Sequence, residues 1–233
     1  MDKKYIKYTK YIRFVDLKKL DFIIDSIREY FTGCKESEIK GLDVGCGKGD
    51  ITIPVSYFGY KMVGIDISPA NIKVAKSRRI KNDNPKFFVA DAEKMTFKEK
   101  FDFVICSEVL EHLKNPHKAL NLINKVLKEN GLLIVTVPNG HGPYSLTFDH
   151  FRNKIFSKIF PIKPSDHIQT FTLSDISNLL NNTGFQILET QHSDFISFLL
   201  FDKFQTISRF DCALADKLPS KLVSGWYFKC KKV

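Results

Sequence analysis

No run of about 18 consecutive apolar residues occurs in this chain, so nothing in it reads as a membrane-spanning helix. Met1 to Lys10 is basic but carries no apolar stretch, so a secretory leader is not expected and the cytoplasm is the expected compartment. Cysteine is sparse. The five residues Cys34, Cys46, Cys106, Cys212 and Cys230 are widely spaced and never form C-x-x-C, which argues for reduced thiols over a disulfide framework. Low-complexity linkers and internal repeats are missing too. Acidic residues are outnumbered, 26 against 36 Lys and Arg, for a net charge of +10. Lysines crowd both ends, at Lys3, Lys4, Lys7 and Lys10 and at Lys229, Lys231 and Lys232. Such charge could attract RNA, an acidic lipid surface or an anionic acceptor; generic solvated lysine is the plainer reading. A hydrophobic content of 43% excludes a disordered chain, and 233 residues suffice for one sizeable α/β domain.

What stands out against this background is Leu42-Asp43-Val44-Gly45-Cys46-Gly47-Lys48-Gly49-Asp50. The short apolar lead Ile39 to Leu42 precedes it, and Ile51 to Phe58, able to form a helix, follows. Glycine at every second position leaves a loop with almost no side-chain bulk. A ligand can then lie against bare backbone, near the positive end of the next helix. The spacing is G-x-G-x-G, which departs from the G-x-G-x-x-G fingerprint of dinucleotide sites.

Apolar periodicity puts an amphipathic helix over 16–31, with Leu17, Leu20, Ile23, Ile24, Ile27 and Phe31 on one face. Further strands are expected at 61–67, 86–90, 101–106, 132–137, 185–190 and 226–231. Ser68-Pro69 and Asn115-Pro116 each read as an N-cap followed by the first helical residue. Asn130-Gly131 reads as a helix stop. Thr172 with Asp175 reads as a capping box, stapled by Phe171 onto Ile176, and Gly184 ends that helix. Strand and helix alternate from 39 to 138, which argues for an α/β fold with a parallel sheet. The stretch 139–168 is aromatic, His-bearing and irregular, as functional loops often are.

Polar groups gather where such a sheet binds ligands, beyond the carboxyl ends of its strands. Asp43 and the glycines end the first strand. Asp66 ends the second, 19 residues after Gly47, and its two oxygens match the vicinal diol of a ribose. Asp91 follows the third strand, where it can accept from an exocyclic amine. Cys106-Ser107-Glu108 ends the fourth. The set Asp43-x-Gly45-x-Gly47-x-Gly49, Gly64-Ile65-Asp66-Ile67-Ser68, Ala90-Asp91-Ala92 and Phe101 to Ser107 resembles the class I S-adenosylmethionine-dependent methyltransferases. The resemblance covers about residues 39–190, with Trp226-Tyr227 as a last strand.

That resemblance implies a Rossmann-like, seven-stranded, mostly parallel sheet with helices on both faces. It implies a small helical cap of residues 1–38 and a cofactor-binding domain of residues 39–233, with an acceptor-site insertion around 139–170. Asp43 and the backbone of Gly45, Cys46, Gly47 and Gly49 would hold the methionine end. Asp66 would bind the ribose hydroxyls, Ile67 would lie against the adenine, Asp91 would meet its amine with Ala92 beside it, and Ser107 would complete the site. Cys46 reads as a small filler, because no base adjoins it. The implied cofactor is S-adenosylmethionine, with S-adenosylhomocysteine as product.

Methyl transfer from a sulfonium is an in-line displacement in which positioning does most, and a base helps a poorly ionised acceptor. Ser107 to Leu113 is the segment expected to face the methyl group. If helical, it puts Glu108, Glu111 and His112 on one face. The Glu-Val-Leu-Glu-His string resembles ubiquinone-biosynthesis O-methyltransferases and many small-molecule relatives. It also resembles metal-dependent RNA 2′-O-methyltransferases, in which two Glu, the His and a later His bind a divalent cation. That second resemblance would recruit His167 and implies Mg as an added cofactor. Without a metal, His112 is a general base or a packing histidine. The expected catalytic set is therefore His112, His167, Glu108 and Glu111.

His141, Tyr144, His150 and His167 fall in the stretch expected to shape the acceptor pocket. Phe195, Phe198, Leu199, Phe201 and Phe204 form an apolar stripe, read as core or as an opening onto a lipid-like acceptor. Tyr5, Tyr8 and Tyr11 read as a lid helix or a surface turn. The fourth strand lacks the Asn/Asp-Pro-Pro-aromatic motif of base-amine methyltransferases, and no Pro-Cys pair of cytosine C5 enzymes occurs. The expected function is methylation of a small-molecule acceptor, at a hydroxyl oxygen, without membrane insertion. RNA 2′-O-methylation with a divalent cation and cofactor binding without catalysis are the alternatives.

Overall fold

Strands that are apolar on both faces need helices on both sides. The computed structural model, which describes residues 4–10, 14–79, 84–142, 167–195 and 205–233, meets that need. Seven strands form one sheet: β1 (Lys40–Val44), β2 (Lys61–Asp66), β3 (Lys86–Val89), β4 (Phe101–Ser107), β5 (Leu127–Pro138), β6 (Phe185–His192) and β7 (Gly225–Lys232). Their order is β3-β2-β1-β4-β5-β7-β6. β7 runs antiparallel between β5 and β6, and the other neighbouring strands pair in parallel.

Side chains alternate across β4. Phe103 and Ile105 meet α1 (Phe14–Tyr30) and α2 (Thr52–Tyr57), through Leu20, Ile23, Ile27 and Val55. Val104 and Cys106 face the other way, toward α4 (Pro116–Val126) and α5 (Leu173–Asn182), where Leu120, Ile123, Ile176 and Leu180 are buried. Between β2 and β3, α3 (Pro69–Ser77) packs Ile72 and Ala75 against Ile53 and Phe87.

The local stop and start signals act as expected. Ser68 Oγ accepts the Asn71 N–H at 3.3 Å, and Asn115 Oδ1 accepts the Lys118 N–H at 2.9 Å, each with proline at the first helical position. Thr172 and Asp175 form the reciprocal capping box, and Phe171 and Ile176 are buried in one cluster. One boundary differs. The chain leaves α4 at Leu127, not at Asn130-Gly131, and β5 begins there. Leu127 is fully buried and bridges to Phe101, so core packing turns the backbone extended before the glycine is reached.

In residues 1–38, α1 lies on the sheet face itself. Its Lys18 ammonium donates to the carbonyls of His192, Ser193 and Cys212 at 2.8, 3.0 and 3.2 Å and pairs with Asp216. The tie joins α1 to the end of β6 and to α6 (Gln205–Ala215). Lys4–Tyr8 is a short 3-10 turn, with the Tyr8 ring 5.0 Å from that of Tyr57. Tyr11 lies outside the described residues, as do Phe198, Leu199, Phe201 and Phe204; Phe195 packs against the main core. No helix among the described residues is long and apolar enough to cross a membrane.

Strand order reverses between β1 and β4. Chains leaving the two strand tips part there, and the crevice they leave is where open parallel sheets hold ligands.

Candidate active site

The glycine loop forms one wall of that crevice. Gly45 sits at φ 72, and a Cβ there would stand 2.3 Å from Val109 Cγ2, so only glycine fits. Gly47, at φ 52, has no described atom within 4 Å of where its Cβ would be, so the space in front of the loop is open. Cys46 is buried behind it, its amide donating to Ile65 O at 2.8 Å. Burial, with the nearby Asp43 and Asp66 charges, pushes its thiol far above the usual range, as suits a filler and not a nucleophile.

Asp43 lies beneath the loop. It is 2% exposed and accepts the Thr52 hydroxyl at 2.5 Å, which fixes the start of α2. Burial pushes its carboxyl up to about 7; the Thr52 hydrogen bond opposes that rise and the Asp66 charge adds to it. Asp66 joins the two strand tips. Its Oδ2 accepts the Gly47 N–H at 2.9 Å, and Oδ1 accepts the Ser68 N–H at 2.9 Å and the Asn71 amide at 3.2 Å. Beside it Ile67 is 70% exposed. Asp91 caps the turn through Ala92: Oδ1 accepts the Glu93 N–H at 2.8 Å, and Lys94 Nζ stands 3.2 Å from Oδ2. The Glu93 bond first, and Lys94 after it, hold that carboxyl below the usual carboxylate range.

The opposite wall differs from the expected helix. Glu108 takes a left-handed backbone at φ 54, and only Leu110–His112 winds, as a single 3-10 turn. Glu108, Glu111 and His112 therefore do not share a helical face. The Glu108 N–H donates to Thr136 O at 2.9 Å, and its Oε1 accepts the Thr136 hydroxyl at 2.8 Å. Ser107 Oγ lies 2.8 Å from the same hydroxyl. These bonds draw Glu108 to β5, away from the other two residues.

What joins Glu111 and His112 instead is His167. The Glu111 carbonyl accepts the amides of Ile168 and Gln169 at 2.8 and 3.0 Å, and the Gln169 side chain donates to Leu113 O at 3.0 Å. This strap brings the His167 ring within 4.9 Å of the His112 ring, edge-on. Glu111 is 1% exposed, with Oε1 at 3.9 Å from His112 Nε2. One ligand atom from each of Glu111, His112 and His167 lies within 4.8 Å of the others, so the three could hold a cation. A carboxylate with two imidazoles suits a first-row transition ion better than Mg, which favours oxygen ligands.

Farther along the same sheet edge, a cavity of 680 Å³ opens among Asn139, His141, Leu173, Lys221 and Trp226. Asn139 shapes it, with its amide donating to Val223 O at 2.8 Å and its Oδ1 accepting the His141 N–H at 3.0 Å. Tyr144 and His150 lie outside the described residues. Thr136, Gln169 and Asn139 escaped sequence reasoning. Only Thr136 carried a signal: a hydroxyl in a strand buried on both faces must find a partner.

Residues 12–190 match a family model described as a methyltransferase domain. The ubiquinone biosynthesis O-methyltransferase of Pelagibacter ubique is 37% identical over 102 residues, 43% of this chain and 42% of that one. That of Rickettsia typhi is 28% identical over 173 residues, 73% of this chain and 69% of the relative. Among solved structures, magnesium protoporphyrin IX methyltransferase from Synechocystis with bound S-adenosylhomocysteine aligns with a TM-score of 0.63 at 17% identity. That alignment covers 94% of this chain and 84% of the other, and at such identity it speaks for the fold.

Proposed function

The chain belongs to the S-adenosylmethionine-dependent methyltransferases, and from that membership we propose that it transfers the methyl group to a hydroxyl oxygen of a small-molecule acceptor. One observation carries the reading: Glu111, His112 and His167 converge beside the crevice between the β1 and β4 tips. The cofactor supplies a methyl group already activated by its sulfonium. The open space before Gly47, the Asp66 carboxylate and the exposed Ile67 suit its sugar and base. In this reading Asp66 accepts from the ribose hydroxyls. Asp91 and Ala92 border the adenine. Gly45, Cys46, Gly47 and Gly49 line the methionine end, with Asp43 fixing the loop from below. Ser107 and Glu108 close the far side.

The acceptor oxygen attacks the methyl carbon, the carbon–sulfur bond breaks toward sulfur, and the hydroxyl proton must leave. His112, oriented by Glu111 and edged by His167, is placed to take it. The same three residues would hold a divalent cation, which would acidify a bound hydroxyl. The acceptor wall includes residues 139–170, of which 143–166 lie outside those described, and the domain spans 39–233 with 1–38 packed beside it. The small-molecule acceptor follows the relatives' O-methyltransferase names, which lend nothing to RNA or to cofactor binding without catalysis. The cytoplasm belongs to the same reading.

Methyl transfer to a catechol probe tests it. His112→Ala and His167→Ala should lower kcat by about 100-fold or more and leave S-adenosylhomocysteine affinity within about twofold. Full activity in both variants would remove the cluster from the chemistry. Activity that survives thorough chelation assigns the proton to His112 alone.

A further inference from the structure

We propose that Thr136 is a positioning residue that holds the Glu108 carboxylate toward the positively charged centre of the bound cofactor. The inference rests on the methyltransferase reading above and deepens it.

A left-handed backbone is unfavourable for glutamate, so something must hold Glu108 there. Thr136 does so twice, accepting the Glu108 N–H at its carbonyl and donating its hydroxyl to Oε1. A hydroxyl has one hydrogen. Since Thr136 spends its own on Glu108, the contact with Ser107 has a fixed direction, Ser107 donating to Thr136. Thr136 is fully buried, so its own hydroxyl has no access to solvent, while Ser107 and Glu108 are half-buried. The chain of donors runs from Ser107 through Thr136 to the carboxylate, and among the described residues no hydrogen bond engages Oε2.

Strand register says what lies in front. Cys106 pairs with Val44, which sets Ser107 level with Gly45. Val109 fills the space above Gly45, so Glu108 stands between the glycine loop and the tip of β5. That position adjoins the point of strand-order reversal, where an open parallel sheet binds its ligand. The sulfonium carries a positive charge; the thioether of the product carries none. A carboxylate held at this wall therefore favours the methylated form over the spent one. Glu108 is not one of the three residues whose ligand atoms converge on a possible cation.

Calorimetry with S-adenosylmethionine and S-adenosylhomocysteine tests the assignment. Thr136→Val should weaken the methylated compound about tenfold and the demethylated one less than about twofold, and Thr136→Ser should restore the wild-type ratio. Should the valine variant fail to fold, Glu108→Gln must show the same selective loss. Equal losses for both compounds, or no loss, overturn the proposal while the methyltransferase reading stands. Wild-type protein that binds neither compound overturns both.

Discussion

Replacing Asp66 by alanine tests the cofactor crevice at its most connected point. In the free protein this carboxylate accepts three hydrogen bonds, from the amides of Gly47 and Ser68 and from the Asn71 side chain. It thus has two duties, to join the β1 loop to the start of α3 and to accept from a ligand's hydroxyls. The first is a matter of stability. The orphaned amides are partly reachable by water, so the loss should be about 1–2 kcal/mol in unfolding free energy. The second is a matter of binding. A charged acceptor for two hydroxyls disappears, which costs about 1–3 kcal/mol, or roughly 5- to 150-fold in Kd. Asp66→Asn divides the two, since it keeps one oxygen for Ser68 and turns an NH2 group toward the Gly47 amide or the ligand. Titration calorimetry with S-adenosylhomocysteine, run beside urea unfolding, reads both. An alanine variant that is folded and binds within twofold of wild type would refute the placement of the ribose at Asp66.

Asp43 gives stability a pH dependence. Its folded pKa, about 7, lies above its ordinary value, so the native state keeps a proton that the unfolded chain releases. Between about pH 4 and pH 7 the wild type should therefore lose stability as pH rises, by up to roughly 4 kcal/mol relative to Asp43→Asn. Parallel curves for the two proteins in thermal unfolding across that range would contradict it. Gly45→Ala should destabilise by roughly 2–5 kcal/mol, since it adds strain at φ 72 to a clash with Val109. Val109→Ala in the same chain should recover part of that loss in urea unfolding, and a neutral Gly45→Ala would argue against the close approach.

Much of this architecture was legible because the signals are local. Ser68-Pro69, Asn115-Pro116 and Thr172 with Asp175 settle helix starts within four residues, and the glycine loop declares itself by composition. The fourth strand's tip was not legible. Glu-Val-Leu-Glu-His fits a helical period as well as it fits a turn, and the bonds that decide between them come from Thr136, 28 residues on. His167 reaches His112 only because two backbone amides find the Glu111 carbonyl across more than fifty residues, and no periodicity encodes such a pairing. The helix stop at Asn130-Gly131 was a sound local signal overridden by the burial of Leu127.

β7 is the last strand of the sheet to be made, yet it sits inside it, between β5 and β6. During synthesis the flank of β5 that carries Val135 and Val137 must wait, bare, until residues 225–232 leave the ribosome. Chains halted or clipped before that point would offer a naked, apolar strand edge to one another. Loss of the final segment should thus send the protein to aggregates or proteases, not merely to a weaker enzyme.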